Sequence, residues 1–86
     1  MIDNNNEMEA DDGVYNFGPQ PIGLIMEKRK LKPHDLVAAS TEQITHKMVS
    51  RACKGRKLSR RVQLKIRNAL NAATEQNYTL KDLFTY

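Results

Sequence analysis

The sequence predicts an all-α domain of four to five short helices behind a disordered acidic tail, and three observations lead there. Apolar residues from Pro21 onward recur three and four positions apart, the spacing that gathers them on one side of a helix. No stretch alternates apolar with polar residues, and Val and Ile are sparse, so no strand pattern competes. The charge is divided along the chain: residues 1–17 carry five acids and no Lys or Arg, a net −5, whereas residues 18–86 carry all 14 cations against the other five acids, a net +9. At 86 residues there is room for one domain with a modest core, and a deep cleft between two lobes is not expected.

The opening "MIDNNNEMEADDG" is polar and acidic, with a run of three Asn, a composition too poor in apolar residues to bury a core. The tail is therefore expected over residues 1–17 and the domain over 18–86, with "VYNF" at 14–17 as an apolar island able to dock on it. Pro21 suits the first turn of a helix, where its missing N–H costs little. A first helix is expected over about 21–30, burying Ile22, Ile25 and Met26 and exposing Lys28 and Arg29. Pro33 disfavours helical geometry at Lys32, so that helix stops near Leu31 and a second runs over about 33–40, offering Leu36, Val37 and Ala39 to the core. The polar "STEQI" then turns, and Thr45 caps a third helix over about 45–54 that ends at Gly55, a residue free to enter the left-handed region. In the fourth helix Leu58, Val62, Ile66, Ala69, Leu70 and Ala73 share an arc of about 120° and form the core face; Leu64 points away from it. Thr79 caps a final turn in "TLKDLF".

The third helix, "THKMVSRACK", is the most informative. At about 100° per residue, His46, Lys47, Ser50, Arg51 and Lys54 fall in one arc of about 140°, while Met48, Val49, Ala52 and Cys53 fall opposite. From Thr45 to Arg67 there are nine cations (Lys47, Arg51, Lys54, Arg56, Lys57, Arg60, Arg61, Lys65 and Arg67) and no acid. Such a run repels itself unless an anion neutralises it, and a polyphosphate backbone is the commonest neutralising partner. A membrane surface fits poorly, because large apolar residues are missing beside the charges.

Two helices that cross nearly at right angles through a short turn need small or medium apolar residues where they touch, and Ala39, Ile44, Val49 and Ala52 supply them. With these residues, the run from Asp35 to Lys54 resembles the helix-turn-helix of the lambda repressor-like DNA-binding family, which includes phage repressor, Cro-type and lac repressor-type branches. "ITHKMVSRACKGRKLSRRVQLKIRNALN" is similar to the stretch in which such proteins carry the turn, a "TVSR" segment, a glycine and a fourth helix ending in Ala-Leu. The resemblance covers about residues 21–74 and implies a compact lambda repressor-like fold. Three positions depart from the pattern. Gln43 stands where the family usually has Gly, so either a left-handed residue there costs up to about 1 kcal/mol or the turn is built differently. Glu42 replaces an apolar residue, and Asp35 stands where relatives carry a Gln; its expected role is favourable charge at a helix N-terminus.

The resemblance further implies sequence-specific binding of double-stranded DNA by a small repressor-like transcriptional regulator, with the third helix in the major groove. His46, Lys47 and Arg51 then correspond to base-reading positions, with Arg51 and Lys47 suited to guanine O6 and N7. Thr45, Ser50 and Lys54 flank them as phosphate contacts, and Arg56, Lys57 and Arg60 add electrostatic grip. The alternative is a non-enzymatic basic module that binds RNA or an acidic protein. The apolar Tyr78, Leu80, Leu83, Phe84 and Tyr86 either close the bottom of the core or form a homodimer interface, with Leu64 as a second candidate contact. No catalytic role, cofactor or metal is expected: His34, His46 and Cys53 lack paired-ligand spacing, and there is no phosphate-binding glycine loop or Ser-His-Asp set. One cysteine and the absence of an apolar leader or spanning segment point to a reducing, cytoplasmic, nucleoid-associated setting.

Overall fold

The computed structural model describes residues 16–86, so the acidic tail expected up to residue 17 lies outside the described residues as far as residue 15. Five helices follow in order: α1 (Pro21–Lys28), α2 (Pro33–Ala39), α3 (His46–Lys54), α4 (Arg60–Thr74) and α5 (Leu80–Leu83). Among the described residues there is no strand, only one antiparallel bridge between Asn16 and Arg56. No helix among them is long and apolar enough to cross a membrane.

Each start and stop has a local cause. Pro21 and Pro33 occupy first turns, and Asp35 accepts the Lys32 backbone N–H at 2.7 Å, giving the acid at the start of α2 a bond as well as a favourable charge. Thr45, Ser59 and Thr79 accept backbone N–H groups at the starts of α3, α4 and α5. At the end of α3, Gly55 has φ +90° and the Arg56 N–H returns to the Arg51 carbonyl at 3.1 Å. The same closure occurs after α1 without glycine: Lys30 sits at φ +58°, and the Leu31 N–H reaches the Met26 carbonyl at 2.8 Å. Glu75, also at φ +58°, ends α4.

The core is formed by Ile22 and Met26 of α1, Leu36 of α2, Ile44 of the turn, Val49 and Ala52 of α3, Ile66, Ala69 and Leu70 of α4, and Leu83 and Phe84 at the C-terminus. α2 packs most extensively on α4, and α3 is held by α1, α2 and α4 together. Gly23 lets α1 approach α3 closely, since a Cβ there would lie 3.3 Å from the Cys53 Cβ. The expected core faces recur, with Val62, Leu58 and Ile25 half-buried against the core and Ala73 half-buried. Leu64 is half-buried and not an exposed apolar contact.

Two segments differ from expectation. The turn before α3 is not built on a left-handed Gln43, because Lys30 and Glu75 are the only non-glycine residues with positive φ among those described. Instead the Ser40 hydroxyl accepts the Glu42 N–H at 3.0 Å and donates to the Glu42 carbonyl at 2.7 Å, a side-chain turn that removes the need for glycine. Glu42, exposed at its unusual position, accepts from Asn68 of α4 at 3.3 Å. The second difference is at the N-terminal side, where the folded unit includes Asn16 and Phe17. The Phe17 N–H donates to the Gly55 carbonyl at 2.7 Å, and its ring stacks on Tyr86 with centroids 4.3 Å apart.

The C-terminal apolar residues are used within the chain. Leu83 is 0% and Phe84 4% exposed, Leu80 packs on the core, and the Tyr86 hydroxyl accepts the Leu58 N–H and donates to the Arg56 carbonyl at 2.9 Å. Tyr78 packs beneath the Arg29 guanidinium, 5.9 Å from the ring centroid, and its hydroxyl accepts from Arg29 Nε. Of these five residues, expected as a core cover or a homodimer interface, Leu83 and Phe84 lie in the core of their own chain and Tyr78, Leu80 and Tyr86 pack half-buried against it.

Candidate nucleic-acid interface

α3 has the one strongly two-sided surface in this part of the chain, and its neighbours hold that surface in a defined orientation. Val49 and Ala52 are completely buried, so they lock one side against the core. By angular count the middle of the opposite side is occupied by Lys47 and Lys54, with Ser50 and His46 to one side and Arg51 to the other. Thr45, His46, Lys47 and Lys54 are exposed; Ser50 and Arg51 are half-buried.

His46, Ser50 and Lys54 form one stripe that borders α1 and the start of α2. The His46 ring stacks on His34 of α2 with centroids 5.8 Å apart. Ser50 and Lys54 line a groove of about 360 Å³ together with Gly23, Met26, Glu27 and Cys53. By the same angular count Lys47 and Arg51 form the next stripe round the helix, with Lys47 exposed and Arg51 half-buried. The structure thus brings together the six expected contacts, with Thr45 at the cap of α3 and the other five divided between an edge shared with α1 and α2 and the Lys47–Arg51 stripe.

The cations after Gly55 have different surroundings. Arg56 is half-buried; its carbonyl accepts from Tyr86 and its backbone pairs with Asn16. Lys57 is exposed on the connection, and Arg60 and Arg61 are exposed in the first turn of α4. No acid occurs from Gln43 through Thr74, so nothing in α3 or α4 offsets this charge locally.

Cys53 supports the helix from its inner flank. Its Sγ lies 3.6 Å from Met26 Sδ, and burial raises the thiol pKa, which keeps it neutral and suited to packing. Among the described residues no three His, Cys, Asp or Glu side chains gather where they could hold a metal ion.

Sequence patterns do not announce three parts of this region. They are the His34–His46 stack, the close approach of Gly23 to Cys53, and Gln20, which is 1% exposed. Gln20 donates to the Gly18 carbonyl at 2.9 Å and accepts from the Thr85 N–H at 2.7 Å, joining the two ends of the domain beside α3. A polar residue between two prolines carries no periodic signal of burial; the only sequence sign was the cluster of turn formers around it. Comparison with models of known families, with curated proteins and with solved structures finds no match to this chain.

Proposed function

We propose that this chain binds double-stranded DNA with sequence preference and acts as a small repressor-like transcriptional regulator, with α3 in the major groove. The observation that carries the reading is the outward side of α3. It presents His, Lys, Ser, Thr and Arg, a range of donors and acceptors, on a helix whose other side is immobilised by complete burial of Val49 and Ala52. Simple charge attraction needs only cations; reading base edges needs varied hydrogen-bonding groups held at fixed positions. A helix fits the major groove, about 12 Å wide. The connection through Ser40 and the Thr45 cap preserve the start of α3, where base contacts are made in this geometry.

In this reading Arg51 and Lys47 donate to guanine O6 and N7, and His46 adds one hydrogen bond from the first turn. Thr45, Ser50 and Lys54 contact flanking phosphates, with Arg56, Lys57 and Arg60 supplying charge beyond the helix. The Thr45 oxygen already accepts from the Met48 N–H at 3.1 Å, which leaves its O–H to donate to a phosphate.

Selection from a random duplex library tests the reading. An enriched motif of about four or five base pairs, or a pair of them about one helical turn apart, is expected. Binding that is salt-sensitive but enriches nothing would overturn sequence preference and turn attention to RNA or an acidic protein as the partner of the same cations.

A further inference from the structure

His34 and His46 are the only histidines in the chain, and the fold sets them side by side from two helices. His34 follows Pro33 in the first turn of α2, where Asp35 holds the Lys32 N–H, and His46 opens α3 directly after the Thr45 cap. Leu36 of α2 and Val49 of α3 are completely buried, so the backbone beneath each imidazole is fixed by the core. Both histidines are exposed, and their ring centroids lie 5.8 Å apart with 27° between the planes. Among the described residues no hydrogen bond engages either ring, which leaves a nitrogen of each for an outside partner.

Imidazole is the commonest protein ligand for transition ions, and its nitrogen sits about 2.0–2.1 Å from Zn2+. The ring centre then lies about 3.2 Å from the ion, so two imidazoles sharing one ion have centres about 5.2 Å apart at a tetrahedral angle and about 6.4 Å apart in line. The observed 5.8 Å falls between these limits. Facing rings do not aim their nitrogens at one point, but an exposed ring turns within picoseconds to nanoseconds and disturbs no core contact in doing so.

We propose that His34 and His46 together chelate one divalent transition ion of the Zn2+ class, joining the starts of α2 and α3. Water or an outside ligand completes its coordination. Mg2+ and Ca2+, which take oxygen ligands, do not compete for this pair. With two of the usual four protein ligands, affinity is expected at roughly tens of micromolar. The pair lies on the edge of α3 that carries Ser50 and Lys54, so a bound ion adds positive charge to the surface assigned above to DNA. Its open positions can then take a phosphate oxygen or guanine N7. That consequence rests on the DNA-binding reading, whereas the ion site does not.

The full chain is titrated with Zn2+, and with Mg2+ as the control ion, while the ring proton signals of the two histidines are followed by NMR. In the parent both are expected to shift together along one curve at one ion per chain, and Mg2+ to move neither. His34→Ala should weaken Zn2+ binding at His46 roughly tenfold or more, and His46→Ala should do the same at His34. Both side chains are exposed, so the amide spectra of the core should stay those of the parent. A shift of one histidine alone overturns the site, as does Zn2+ binding that moves neither ring or that survives either substitution within about twofold. An apparent affinity that rises with protein concentration also overturns it, because the ion then joins two molecules. The second measurement is binding of a random-sequence duplex with and without saturating Zn2+, expected to tighten roughly three- to tenfold in the parent and less than twofold in His34→Ala. A chelating pair with equal tightening in both proteins, or none in either, overturns the effect on DNA. A chelating pair in a protein that binds no duplex upholds the ion site and removes the DNA-binding reading instead.

Discussion

α3 and the C-terminal segment from Thr79 to Tyr86 are both short and both rich in residues suited to contacting something outside the chain, yet they use them in opposite ways. α3 buries only Val49 and Ala52 completely and keeps its cations at the surface. The C-terminal segment buries Leu83 and Phe84 and directs Tyr86 back to Leu58 and Arg56. The difference comes from supply: a domain this small has few large apolar side chains, so most are drawn into the core, with Leu24 and Phe17 exposed, whereas a cation gains nothing by burial and stays in water. An apolar cluster in a small chain is therefore weak evidence for an interface, and a cluster of cations at the surface is stronger evidence.

The largest expected effect attacks the C-terminal side of this contrast. Phe84→Ala should cost about 3–5 kcal/mol by emptying a filled core position, measured by denaturant unfolding. A folded, stable variant whose mass in solution falls from dimer to monomer would instead make Phe84 an interface residue. Gly55→Ala comes next, at about 3 kcal/mol. It forces a side chain into a left-handed residue and into the arm that carries Asn16 and Phe17, so it should loosen that arm as well as the end of α3. Circular dichroism melts of this variant against Gly18→Ala separate the two causes, because Gly18 shares the positive φ but has open space around it.

Arg51→Ala tests the α3 side. It should cost about 1–3 kcal/mol in binding to the selected duplex and relax discrimination at one or two base pairs, while stability changes little. Equal weakening on selected and scrambled duplexes, with only a flatter salt dependence, would make Arg51 a phosphate anchor. Tyr86→Phe should cost about 1 kcal/mol through the loss of two hydrogen bonds. Burial raises the Tyr86 pKa above its ordinary value. The fold therefore disfavours the phenolate, and the stability this group contributes is present below the ordinary tyrosine range near pH 10 and lost as pH rises from there through the raised value of the folded state. Alkaline unfolding curves should be flatter in the Phe variant. The smallest effect is a gain: Lys30→Gly should stabilise by about 0.5 kcal/mol, since relief of left-handed strain outweighs the added freedom of the unfolded chain. An unchanged or lower melting temperature would show that Lys30 holds the end of α1 by a contact of its own.

The helices were legible in the sequence because most have a local cause read there: Pro21 and Pro33 at first turns, Thr45 and Thr79 as caps, Gly55 as a stop, and an apolar stripe of period 3.6. These are interactions among residues within four or five positions of one another, which a linear pattern records directly. The polar side of α3 was legible for the same reason, since the helical period alone separates Lys47 and Arg51 from Val49 and Ala52. Tertiary structure decided what depends on residues far apart in the chain: Gln20 against Thr85, Phe17 on Tyr86, Arg29 over Tyr78, and His34 beside His46. It also decided that the C-terminal apolar residues close the core of their own chain, because whether an apolar side chain is buried depends on what folds against it and not on its neighbours in sequence.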